Sequence, residues 1–93
     1  MKEDKKILLK AICKYGKEAQ IDLFFEESAE LTKALLKVRR YGLDEEKMTA
    51  IVDEIADVTI CMEYLKMIFD CEDDVKERID FKIKRTGERV ENG

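Results

Sequence analysis

Apolar residues recur along the chain at three- and four-residue intervals rather than at alternate positions, and glycines fall between the runs. Ile7, Leu8, Leu9, Ala11 and Ile12 precede Gly16, which predicts a first helix over residues 3–15. Arg39 and Arg40 ahead of Gly42 suit a helix C-terminus, where cations meet the negative end of the dipole and glycine caps the last turn. Asp44 reads as an N-cap, with Glu45 and Glu46 in the first turn behind it. These signals predict a second helix over residues 17–40 and a third over 45–69. A polar break is expected over residues 70–74, and a fourth helix over 73–85 that continues past Gly87. No β-branched alternating run is long enough to predict a strand. The expected fold is all-α: one domain over residues 1–93, a small bundle of about four helices built on a long antiparallel helix hairpin.

Projection of the two long helices at about 100° per residue separates their faces. With Leu23 as origin, Phe24, Leu31, Ala34, Leu35, Val38 and Ile21 fall on an arc from about 20° to 160°. Glu27 lies inside that arc at about 40°, Glu30 lies at its edge, and Gln20 shares the face. With Ile51 as origin on the third helix, Val52, Ile55, Val58, Thr59, Met62, Leu65 and Phe69 span about 320° to 100°. Glu54 and Asp57 flank that arc at about 300° and 240°.

A carboxylate on a buried helix face is expensive unless something pairs with it. A hairpin turning at Gly42 sets Glu30 level with Glu54, both twelve residues from the turn, and Glu27 level with Asp57, both fifteen residues away. The four acids then meet roughly 20 Å from the turn. Without a cation they would repel and raise one another's pKa values. Oxygen-only ligands point to Mg²⁺, with Mn²⁺ as the other choice.

Composition narrows the chemistry further. The chain has no His, which removes the commonest general base and the commonest metal ligand. A net charge of −4 disfavours nucleic acid and anionic membranes as partners. Cys13, Cys61 and Cys71 form no CxxC pair and read as free thiols in a reducing compartment. Lysines interrupt the apolar run near the N-terminus, and no stretch is long enough to span a bilayer, so a cytoplasmic location is expected.

Phe25-Glu26-Glu27-Ser28-Ala29-Glu30-Leu31 and Val52-Asp53-Glu54-Ile55-Ala56-Asp57-Val58 resemble the paired acidic signatures, EExxEL and DExxDV, of the MazG-like all-α nucleoside triphosphate pyrophosphohydrolases. Tyr15-Gly16 with Gln20 is similar to that family's lead-in, and residues 82–89 are similar to its basic C-terminal stretch. The resemblance covers about residues 11–90. It implies Mg²⁺-dependent hydrolysis of a nucleoside or deoxynucleoside triphosphate to the monophosphate and pyrophosphate, by attack of metal-activated water at the α-phosphorus. It also implies a homodimer or homotetramer with sites formed partly across subunits.

Carried over by position, Glu27, Glu30, Glu54 and Asp57 are the implied metal ligands, and Glu26 matches the leading acid of the first signature. Gln20 is implied at the base or sugar, and Lys82, Arg85 and Arg89 at the phosphates. Glu27 and Glu30 are the two candidates for the catalytic carboxylate, because the chain offers no histidine. A phosphoribosyl-ATP pyrophosphohydrolase is a related option within the same class. The rival from another class is a non-enzymatic helical interaction module. In that reading Glu27 would pair with a Lys or Arg, and no carboxylate cluster would form.

Overall fold

The computed structural model describes residues 2–93. Four helices follow one another: α1 (Lys2–Tyr15), α2 (Lys17–Tyr41), α3 (Glu45–Ile68) and α4 (Glu72–Asn92). The described residues contain no strand, so the chain is all-α as the periodicity predicts. None of these helices is long and apolar enough to cross a membrane. Gly16 and Gly42 take φ of 95° and 82°, a region that costs a residue with a Cβ, and each supplies a sharp helix-to-helix junction. The Gly42 N–H donates to the Val38 carbonyl at 2.8 Å, closing α2. Asp44 then opens α3: its Oδ1 accepts from the Lys47 backbone N–H at 2.8 Å, and its Oδ2 from Lys47 Nζ at 2.6 Å. These anion-favouring contacts hold the Asp44 carboxyl below its ordinary pKa.

The antiparallel α2–α3 pair is the centre of the molecule, with α1 laid against both helices and α4 against α3. A set of its buried and half-buried positions follows a four-three spacing: Gln20, Phe24, Glu27, Leu31, Ala34 and Val38 on α2, and Lys47, Ile51, Glu54, Val58, Cys61, Leu65 and Ile68 on α3; Ile21, Leu23 and Ser28 on α2 and Glu63, Tyr64, Lys66 and Met67 on α3 are covered beside it. This is a coiled-coil seam, two positions per seven residues. It is rotated by about 80° on α3 from the face that the apolar residues alone predict. Glu54 therefore sits in the seam instead of beside it. Val52, Ile55 and Met62, expected in the core, are exposed (56%, 50% and 47%). The reason is that α3 carries two adjacent apolar stripes. The second, Met48, Val52, Ile55, Met62 and Phe69, repeats the same spacing one residue later and faces away from α2. One helix partner covers only one of them.

α4 differs from expectation at both ends. The acidic run predicted as a break is its first turn: Glu72, Asp73 and Asp74 lie where the helix dipole favours negative charge. The break itself is only Phe69, Asp70 and Cys71, and the helix passes Gly87 to Asn92. Lys5 Nζ donates to both Glu72 carboxylate oxygens, at 3.0 and 2.8 Å, and so ties the start of α4 to α1. From Lys76 onward every residue of α4 is exposed. The helix is an arm held at its root.

The consequence is a large surface. Accessible area is 7800 Å², against about 5,600 Å² for a monomer of this mass. The radius of gyration is 16.4 Å, against about 12 Å for a compact domain of this length. Ile12, Cys61 and Tyr64 are the buried apolar residues, and Gln20 is the buried polar one.

Candidate functional site

The seam puts acids where a coiled coil ordinarily has aliphatic side chains. Glu27 on α2 and Glu54 on α3 occupy inward positions at neighbouring levels, and Asp57 stands one residue before the seam residue Val58. One carboxylate oxygen from each of Glu27, Glu54 and Asp57 lies within 4.8 Å of the other two. Glu54 Oε2 is buried and has no hydrogen-bond partner. Among the described residues, the ion pairs join Lys5 to Glu72, Lys33 to Glu30, Lys47 to Asp44 and Lys66 to Glu63; none reaches these three acids.

The electrostatics follow from that placement. Burial raises the pKa of Glu27 most, followed by its contact with the Asp57 carboxyl and the charges of Asp57 and Glu54. Cys61, one turn beyond Asp57 and only 1% exposed, has its thiol pKa raised by burial and then by the charges of Glu27 and Asp57. The charge of Asp57 thus acts on both groups.

The residues expected at the site divide into those that converge and those that do not. Glu27, Glu54 and Asp57 come together; Glu30 does not. Its carboxylate is exposed and turned toward Lys33, with Oε1 3.9 Å from Nζ. Like Asp57, it stands one residue before a seam position, and in an antiparallel pair such positions run along the same side of the interface. The backbone therefore carries Glu30 on the correct flank, while its side chain points elsewhere. Glu26 is exposed. Gln20 is only 6% exposed and lies in the seam two turns before Glu27; its amide makes no side-chain hydrogen bond among the described residues. Lys82, Arg85 and Arg89 line one side of the exposed arm α4, which packs on α3, so within one chain they stand apart from the acids.

Two neighbours of these groups were legible but not singled out. Cys61 is seven residues from Glu54 and four from Asp57, the spacing of a shared helix face. Arg78 precedes Lys82, Arg85 and Arg89 by four, seven and eleven residues and completes their stripe.

The donor set suits a hard divalent cation. It offers carboxylate oxygens alone, from two helices, with one buried oxygen lacking any partner and, at Glu27, a proton affinity raised by burial first and by the neighbouring acids second. No family model, curated protein or solved structure matches the chain.

The raised pKa of Glu27 gives the site a pH signature in the absence of divalent ions. The folded chain holds this proton more tightly than the unfolded chain does, so the stability it contributes is present at low pH and lost as pH rises through the raised value. Glu27→Gln mimics the protonated state at every pH. In excess chelator the variant should melt above wild type at neutral pH, and the gap should close as pH falls toward about 4, the ordinary carboxylate pKa. A gap that stays constant across a pH series of thermal melts would show that Glu27 carries no such strain.

Proposed function

We propose that the protein is a Mg²⁺-dependent nucleoside triphosphate pyrophosphohydrolase, converting a nucleoside or deoxynucleoside triphosphate to the monophosphate and pyrophosphate. The observation that carries the reading is the convergence of Glu27, Glu54 and Asp57 from two helices, without a basic partner and with Glu54 Oε2 buried and unsatisfied. The resemblance of the two acidic signatures to the MazG-like family supports the reaction type. The interaction-module alternative expects a Lys or Arg beside Glu27, and the groups around it are acids and a thiol instead.

In this reading Glu27, Glu54 and Asp57 hold the cation, with Glu30 on the same flank completing the set. Bound Mg²⁺ supplies charge that lets a polyphosphate approach the acids and acidifies a water for attack at the α-phosphorus. The chain's own residues do the rest. With no histidine, the proton of that water passes to a carboxylate, for which Glu27 and Glu30 are the two candidates. Gln20, buried two turns along the seam, is the residue that the family resemblance puts at the base or sugar. Lys82, Arg85 and Arg89 balance the charge of the phosphates.

The second apolar stripe of α3 supplies the assembly. The chain exposes about 2,200 Å² more than a compact monomer of its mass, comparable to what each partner buries in an obligate dimer. We assign that area to a second copy of the chain, with a dimer as the minimal unit and a tetramer as the larger alternative. Assembly also gives the detached basic arm a route to the acids of another subunit. Sedimentation at about 10 μM, well within reach of such an interface, should show no monomer. Ile55→Glu, which charges the exposed stripe and leaves the seam intact, should release monomers. A wild-type monomer at that concentration contradicts the assignment.

The reaction is tested by its products. With Mg²⁺, chromatography of a panel of triphosphates should show monophosphate and pyrophosphate appearing together, with no diphosphate. Glu54→Gln and Asp57→Asn should lower turnover by roughly two orders of magnitude or more, as removal of groups that act on the transition state does. Diphosphate with inorganic phosphate would mean attack at the γ-phosphorus. No turnover of any triphosphate would return the interaction module to first place.

A further inference from the structure

We propose that Phe81 is a positioning residue that holds the guanidiniums of Arg78 and Arg85 as a ready-made pair for a pyrophosphate group. The choice of ligand rests on the hydrolase reading above. Phe81 stands on the exposed part of α4 and is itself 53% exposed. Arg78 lies over its ring with Cζ 4.8 Å from the centroid, and Arg85 lies over it at 5.9 Å. The two arginines are three residues before and four residues after the ring, so they flank it along one side of the helix.

The placement of the ring is not explained by burial. With Val75 as origin, the apolar residues of α4, Val75, Ile79, Ile83 and Val90, span about 0° to 80° in projection. Phe81 lies at about 240°, on the far side of the basic stripe formed by Arg85, Arg78, Arg89 and Lys82 between about 280° and 340°. A surface that covers the apolar stripe therefore leaves the ring out. Both guanidiniums lie over it instead.

Those contacts leave the arginines free for an anion. A guanidinium stacked on a ring uses its face, and its five N–H donors, which lie in the plane, remain available at its edge. Neither arginine pairs with a carboxylate among the described residues, although Asp74 and Glu88 are near on the same helix. On an unsupported arm, two long side chains would otherwise sample many rotamers. A shared aromatic platform restricts both at once and keeps two forked donors, of the kind that bind phosphate oxygens in pairs, on one side of the arm.

The test is calorimetric titration of inorganic pyrophosphate, at fixed Mg²⁺, into the intact wild-type protein, Phe81→Leu and Phe81→Trp. Leucine keeps helix propensity and apolar bulk but removes the π face; tryptophan restores and strengthens it. Phe81→Leu should raise the pyrophosphate Kd by about threefold to tenfold, the range expected for losing one or two exposed cation–π contacts. Phe81→Trp should bind at least as well as wild type, and all three should melt alike. If a triphosphate is turned over, Phe81→Leu should raise KM by a similar factor with kcat little changed. Equal binding by wild type and Phe81→Leu overturns the proposal, as does failure of wild type to bind pyrophosphate. The expected ranking of the three proteins in a chain that hydrolyses no triphosphate would sustain the pyrophosphate site and reject the hydrolase.

Discussion

The structure depends on one constraint: an antiparallel two-helix seam in which carboxylates take positions that packing alone would give to aliphatic residues. A coiled coil tolerates a polar seam residue at a cost in stability, usually in return for a fixed register. Here the cost is larger, because the opposing seam residue is also an acid. Glu27 and Glu54 are brought together by the same alternation that brings Leu31 toward α3 and Val58 toward α2. The sharp turn at Gly42 and the Asp44 cap set the register, and the register sets the acids level. The residues that strain the fold are therefore the same ones to which the proposed chemistry is assigned.

The rest of the molecule is organised around that pair rather than packed into a closed core. α1 covers one end, burying Ile12, and α4 leaves the bundle after its first turn. Because the seam consumes one stripe of α3, the second stripe is left exposed, with only its Met62 and Phe69 end bordered by Val75 and Ile79 of α4. The proposed assembly and the proposed chemistry are thus linked. With acids in the seam, aliphatic residues of α3 lie on the outside, and in the proposed assembly a second copy covers them.

Much of this was legible in the residues. Gly16, Gly42 and Asp44 mark helix ends because each does one local thing that few other residues do, and all three act as expected. The pairing of Glu27 with Asp57 followed from counting away from Gly42. The rotation of α3 was not legible, because a projection that groups all apolar residues assumes a single buried face. Val52, Ile55 and Met62 pulled the expected face away from Glu54. Glu30 stands apart for a different reason: its backbone lies on the expected flank, while its exposed side chain is turned toward Lys33, three residues along. The acids at 72–74 were read as a loop because charge density resembles a break, whereas at a helix N-terminus it stabilises the first turn.

The central claim is that the three-carboxylate cluster is a divalent-cation site, and the melting temperature of metal-free protein against added Mg²⁺ or Mn²⁺ tests it most directly. A cation bound by the folded chain alone stabilises it by mass action, about 2.7 kcal/mol at a hundredfold excess over Kd, or roughly ten degrees or more for a domain of this size. The account predicts a rise of that order in wild type and in Glu46→Gln, whose carboxylate lies on the exposed start of α3, and its loss in Glu54→Gln. A wild-type melting curve that neither ion moves would contradict it.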